Sequence, residues 1–257
     1  MNLKTFVDCM ERIAPASYAL PYDNVGLLIG PDHQEIKNVL VALDLSVDTA
    51  SEAVRIGADL VLTHHPVMFQ PVHRILPDDP DVAAIYILIR NGIGHFAAHT
   101  NLDAAPGGVN DCLCGEIGLC ETTVVGSEGI LRTGSLEKPH SLSELSRSLK
   151  GVLGKRICFI GDADRMVIKG TVCSGAGNGQ YRTVSESGAD FYLTGELKHS
   201  EAILYRNAGI GVIVAGHYET ERVVLPSLIS RLQEMCIDVQ FNLTRSEVAP
   251  FSRQEEC

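Results

Sequence analysis

Three short stretches of the 257-residue chain carry side chains that could do chemistry together. Thr63-His64-His65-Pro66 sets two imidazoles side by side, while His99-x-x-x-Asp103 and His217-x-x-x-Glu221 each place a histidine four residues before a carboxylate. Neutral imidazole and carboxylate suit divalent first-row metal ions, and each histidine offers one nitrogen. Successive residues of a strand point to opposite faces, so His64 and His65 are awkward ligands for one ion and natural ligands for two neighbouring ions. Residues at i and i+4 on an opening helical turn share a face, so His217 and Glu221 can serve the same site. A carboxylate has two oxygens and can bridge two cations, which an imidazole cannot. His64, His65, Asp103, His217 and Glu221, with His99 beside them, are about what two ions need if water fills the remaining positions. Each part alone has a plainer reading, since a histidine after a strand is more often structural and an acidic residue near a helix start stabilises the helix. Their combination, three times after a strand, favours metal.

The elements that must position these residues are written twice. Gly57-Ala58-Asp59-Leu60-Val61-Leu62-Thr63 recurs as Gly188-Ala189-Asp190-Phe191-Tyr192-Leu193-Thr194, an offset of 131. Each copy follows a helical stretch, Asp48 to Ile56 and Tyr181 to Ser187, and each helix follows an apolar strand, Val39 to Leu43 and Gly170 to Ser174. Downstream, the helices Asp81 to Arg90 and His199 to Asn207 lead to third strands, Asn91 to Ala98 and Ala208 to Ala215, which end at the two histidine–carboxylate pairs. Strand–helix–strand order implies parallel strands with right-handed crossovers, and functional groups gather beyond the carboxyl ends of such strands. The expected fold is α/β: two related halves from an internal duplication, each a mostly parallel sheet flanked by helices, with the metal site between them. The halves are placed at 1–125 and 126–257. A linker rich in Gly, Ser, Pro and charge is expected within Ser127 to Ser143, and the N-terminal helix and C-terminal segment are free to pack across halves.

Composition narrows the partners. With 21 Lys plus Arg against 32 Asp plus Glu, a net charge of −11 argues against nucleic acid gripped through its phosphates. A small anionic substrate stays possible, because bound cations reverse the local sign of a site. Met1 to Ile13 places Leu3, Phe6, Val7, Met10 and Ile13 on one helical face interrupted by charge, which is an amphipathic helix and not a signal peptide. No apolar run is long enough to span a bilayer. Eight cysteines without a CxxC pair read as reduced thiols of a cytoplasmic protein.

Taken together, the chain resembles the Nif-three-like family of dinuclear-metal proteins, which bear the label of homologues of GTP cyclohydrolase I type 2. The resemblance rests on Asp23-Asn24-Val25-Gly26-Leu27-Leu28-Ile29-Gly30, Thr63-His64-His65-Pro66, His99-Thr100-Asn101-Leu102-Asp103, Gly107-Gly108-Val109-Asn110-Asp111 and Gly216-His217-Tyr218-Glu219-Thr220-Glu221. It implies that His64, His65, Asp103, His217 and Glu221 ligate two divalent metal ions per subunit, with Glu221 as the bridge. It also implies that His99 lies beside the metals as an outer or proton-handling residue. Zn, Fe, Mn, Co and Ni are not distinguished by such ligands. Members are implied to be cytoplasmic toroids, homohexamers built as trimers of dimers. Tyr22 stands where the family often has Trp, and there is no room for the extra domain that longer relatives carry between the halves.

The function expected from these readings is a dinuclear metal-dependent hydrolase acting on a nucleotide or related phosphorylated small molecule, either GTP cyclohydrolase-like or phosphoesterase-like. The alternative is a non-enzymatic metal-binding ring that serves as a scaffold or interaction hub. Two features stay secondary. The glycines of Cys173 to Gly179 make either a tight turn or a phosphate-approaching loop, and Glu196 and His199 could stand near the site.

Overall fold

The computed structural model describes residues 1–251. The chain is a mixed α/β protein with two sheets flanked by helices, divided into two compact units. Met1–Pro106 and the chain from Leu225 onward form the first unit, and Gly107–Val224 the second.

The first unit opens with α1 (Leu3–Ile13), capped by the Asn2 side chain, which accepts from Lys4 N. Its buried face is Leu3, Phe6, Cys9, Met10 and Ile13, so Cys9 takes the place expected of Val7. Then come β1 (Gly26–Ile29), β2 (Asn38–Ala42), α2 (Val47–Ile56), β3 (Leu60–Thr63), α3 (Ala83–Arg90), β4 (Gly94–Ala97) and the short α4 (Thr100–Ala104). β2, β3 and β4 are parallel neighbours, and β1 adds antiparallel to β4. Val39, Leu40 and Val41 are fully buried, as expected of parallel strands covered on both faces. One layer of this core joins Leu40 and Val61 to Ala50, Ala53, Ile85 and Leu88 of the helices.

The second unit runs α5 (Val109–Ile117), β5 (Leu119–Val125), β6 (Leu131–Ser141), α6 (Leu142–Leu149), β7 (Cys158–Ile160), β8 (Met166–Ala176), α7 (Tyr181–Glu186), β9 (Phe191–Glu196), α8 (His199–Ala208), β10 (Gly211–Val214) and α9 (His217–Glu221). Its sheet order is β5-β6-β8-β9-β10-β7. The parallel centre β8-β9-β10 is flanked by the antiparallel β5–β6 pair on one side and by antiparallel β7 on the other. After α10 (Val224–Met235) the chain returns to the first sheet, where β11 (Gln240–Leu243) pairs parallel with β2.

The duplication is visible in the registers. Val39 pairs with Leu60 and Gly170 with Phe191, preserving the sequence offset, and an antiparallel strand that precedes the repeat closes the far edge in each copy. Two residues of the Gly-Ala-Asp signature have matching roles in both copies. Gly57 (φ +64) and Gly188 (φ +70) take the left-handed conformation that ends a helix. The Asp59 carboxylate accepts from Lys37 N and Asn38 N at 2.7 and 2.9 Å, and Asp190 accepts from Ile168 N and Lys169 N at 3.0 and 2.9 Å. Each aspartate therefore pins the start of the strand one step back in the chain.

The division between units differs from the expected one at 125/126. The segment taken for a linker forms β6 and opens α6, because β6 is held on both sides by β5 and β8. The helix α5 and strand β5 accordingly belong to the second unit. No disulfide links the seven cysteines among the described residues, and Cys257 lies outside them.

Candidate metal centre

In the first unit the strands deliver their polar ends as the α/β rule requires. His64 and His65 follow β3, and His99 follows β4 as the residue before α4. One ligand atom from each of His64, His65 and His99 lies within 4.8 Å of the others. The three rings approach with centroids 5.0 to 5.5 Å apart. Asp103 sits one turn into α4 with Oδ1 3.7 Å from His64 Nε2.

Each of these rings is held by its other nitrogen. His64 Nδ1 meets the Ala98 carbonyl at 2.8 Å, His65 Nδ1 meets Asp44 Oδ1 at 2.8 Å, and His99 Nδ1 meets Asp23 Oδ1 at 2.9 Å. Carbonyl and carboxylate oxygens only accept, so in the neutral ring each Nδ1 carries the hydrogen and each Nε2 presents a lone pair. For the buried His64 that lone pair faces an acceptor oxygen of Asp103, and a cation between them would satisfy both. An imidazole fixed through Nδ1 to an oxygen, with Nε2 turned to the centre, is the usual outer support of a metal-bound histidine.

Two buried groups behind this cluster have displaced acidities. Burial drives the Asp23 carboxyl up, but hydrogen bonds from His99 and from the Thr100 hydroxyl and N–H outweigh it and lower it to about 2. His95, inside β4, is lowered to about 4 by burial. The neutral ring meets Thr63 Oγ1 at 2.7 Å through Nε2, and that hydroxyl donates to the His65 carbonyl at 2.6 Å. Because the Thr63 hydrogen is committed to His65, the His95 Nε2 must be the donor. His95 thereby buttresses the backbone at His65.

Asp44 is itself braced by the C-terminal segment. Glu247 accepts from Leu43 N at 3.1 Å and from Asp44 N at 2.7 Å. Buried Glu52 accepts from the Thr244 hydroxyl, Arg245 N and Ser246 N, which sets the path that brings Glu247 into place.

The second unit has its own pair. His217 begins α9, and its Nε2 lies 3.1 Å from Oε1 of buried Glu221, while its Nδ1 meets Glu196 Oε1 at 3.2 Å. Room for the pair comes from glycine. A Cβ at Gly175 (φ +59) would collide with Glu221 Oε1 and stand 3.1 Å from His217 Nε2, and one at Gly195 would be 2.8 Å from His217 Cα. The glycine loop therefore serves close approach of side chains. Its N–H groups at Gly175, Gly177 and Gly179 are donated to Thr220, Thr194 and Glu201, which leaves none of them for the phosphate role.

Of the expected residues, His64, His65, Asp103 and His99 come together in the first unit, and His217 and Glu221 come together in the second. Glu196 orients His217, whereas His199 opens α8 as an exposed residue. Asp23, Asp44, Ala98 and His95 carried no motif-level signal of a supporting role, although Asp23 lay in a matching stretch. No helix among the described residues is long and apolar enough to cross a membrane.

The model of the Duf34/NIF3 (NGG1p interacting factor 3) family matches residues 1–250. A Clostridium perfringens protein named GTP cyclohydrolase 1 type 2 homolog is 32% identical across 98% of this chain and 99% of its own length. Among solved structures, that of Staphylococcus aureus protein SA1388 superposes with a TM-score of 0.90 over 99% of both chains at 23% identity, a likeness of fold. Reduced HcgD from Methanocaldococcus jannaschii is similar at 30% identity and a TM-score of 0.83 over 98% of both chains.

Proposed function

Because the chain belongs to the Duf34/NIF3 family, we propose from that premise that it is a dinuclear metal-dependent hydrolase acting on a nucleotide or related phosphorylated small molecule. The observation that carries the reading is the shared arrangement of His64, His65, His99 and His217, each with Nδ1 on an oxygen acceptor. In this reading His64, His65, Asp103, His217 and Glu221 would be the residues that hold two divalent ions. The nitrogen and oxygen donor set, without thiolate, accepts Zn, Fe, Mn, Co or Ni. Two such ions acidify water and polarise phosphoryl or carbonyl oxygens.

The chain's own residues then divide the work. His99, tied to Asp23 through Nδ1, keeps Nε2 for taking or giving a proton at the substrate. Asp23 fixes the tautomer and the ring plane, as the carboxylate of a catalytic dyad does. Asp44 and Glu196 hold the His65 and His217 rings in place. Ring opening of GTP is suggested by the relatives' name, and phosphoester cleavage uses the same groups. The reading also carries a cytoplasmic homohexamer, a trimer of dimers, as the family resemblance implies.

The test is turnover. Protein loaded in turn with Mn, Fe, Zn, Co, Ni or Mg is screened on nucleotides and phosphate esters, and activity is expected with at least one metal and lost in His64→Ala and Glu221→Gln. Stoichiometric metal without turnover on any of them would instead support the non-enzymatic ring.

A further inference from the structure

The second unit carries a pocket of a different character, built on α6. This helix buries Leu142, Leu145 and Leu149 in the core of its unit. Beside that face, Ser143, buried Ser146, Arg147 and the C-cap residue Lys150 stand at i, i+3, i+4 and i+7 and share one side. Together with Cys158 and Phe159 of β7 they line a cavity of about 370 Å³ over buried Ile157. That volume is at the small end of ligand pockets.

The pocket's charge is cationic. No carboxylate lines it. Among the described residues neither Arg147 nor Lys150 makes an ion pair, in a chain whose net charge is −11. Glu144, at i−3 from Arg147, feels its charge but spends its carboxylate on Ser141 N, from which it accepts at 3.2 Å in the capping box of α6. Phe159, 37% exposed, adds an aromatic ring to the lining. β7 is the last strand of its sheet, so its outer edge has no strand partner.

We infer that the α6–β7 pocket binds a small phosphate monoester, with Arg147 and Lys150 on the phosphoryl group and the body of the molecule against Phe159. Charge decides the class. Near neutral pH a phosphate monoester carries about −1.5 to −2, which two cations match, whereas a single carboxylate carries half of that. A guanidinium grips phosphoryl oxygens two at a time and an ammonium adds a point charge. Ser143 and Ser146 supply hydroxyls on the same flank. This site is independent of the proposed hydrolase centre, with which it shares no residue.

The experiment titrates the full chain, metal-loaded, with phenyl phosphate by calorimetry, and uses benzoate as the singly charged counterpart. A saturable component is expected that is retained in His64→Ala and weakened at least about tenfold in Arg147→Gln/Lys150→Met, with benzoate weaker by a similar factor. Thermal unfolding confirms that the double variant is folded. Cys158 reports position: its alkylation by iodoacetamide, followed by peptide mass mapping, is expected to slow at least about fivefold under saturating phenyl phosphate while Cys120 does not change. The inference is overturned if no saturable component survives in His64→Ala, if the double variant binds as tightly as the parent, or if benzoate binds equally well. Loss of hydrolase activity in His64→Ala with this binding intact would separate the two sites.

Discussion

At the end of β3 stand His64 and His65, and at the matching positions of the second copy, the end of β9, stand Gly195 and Glu196. Asp44, which orients His65, corresponds in the same way to Gly175. The backbone registers agree between the copies and both carry a histidine–carboxylate pair after the third strand, His99/Asp103 and His217/Glu221, yet the ends of the middle strands differ. The first copy projects imidazoles from its middle strand. The second has glycine at Gly195 near the end of that strand and at Gly175 near the end of β8, and fills the space from α9 with His217 and Glu221. Side-chain volume therefore decides whether the His217–Glu221 pair fits where it stands.

The sharpest way to break this comparison is to restore a side chain where the second copy lost it. Gly175→Ala places a methyl group against Glu221 Oε1 at a left-handed backbone, so metal affinity measured by competition with a chelator should fall by more than about a hundredfold, beyond the usual cost of losing an outer partner.

The next effect is acid sensitivity confined to the first copy. His95 has a folded pKa of about 4, below the 6.5 of the unfolded chain. The unfolded chain therefore takes the proton first, and about 3 kcal/mol of stability present above pH 6.5 is lost as pH falls toward 4. The second copy has Val212 in the equivalent strand and no such term. Hydrogen exchange at pH 7 and 4.5 should loosen the first unit preferentially, and denaturant titrations of His95→Gln should lose most of that slope. For Asp23, stability present above pH 3.8 is lost as pH falls toward about 2, worth roughly 2 kcal/mol in metal-free protein and absent in Asp23→Asn.

Asp44→Ala, which brings the first copy closer to the second, should weaken metal binding about 10–100-fold while leaving the fold intact. An unchanged affinity would mean that Asp44 is not the support of His65. The smallest effect is the control. Gly179→Ala, at a positive φ of +85 but with open space around it, should cost only about 1 kcal/mol in thermal unfolding and spare the metal.

The sequence revealed the repeat because its elements are punctuated alike, and the candidate ligands stand out because they follow buried apolar strands directly. What it hid has specific causes. β5 is exposed along most of its length, so no alternation of apolar and polar residues marks it, and it gains its place by pairing with β6. The oxygen atoms that orient the imidazoles come from elsewhere in the chain: Asp23 is 76 residues from His99 and Asp44 is 21 residues from His65. Ala98 contributes only a carbonyl, which residue type does not announce. His95 looked like one more polar residue in an apolar strand, and its partner Thr63 is meaningful only once β3 and β4 lie side by side.

The bracing of Asp44 by Glu247 also sets a timetable. His65 leaves the ribosome about 180 residues before Glu247, and at ordinary elongation rates that is a wait of roughly 10–40 s. During that interval β2 lacks its β11 neighbour and the loop holding Asp44 lacks its brace. The histidine pair is thus synthesised early and finished late, after the whole second unit has been made.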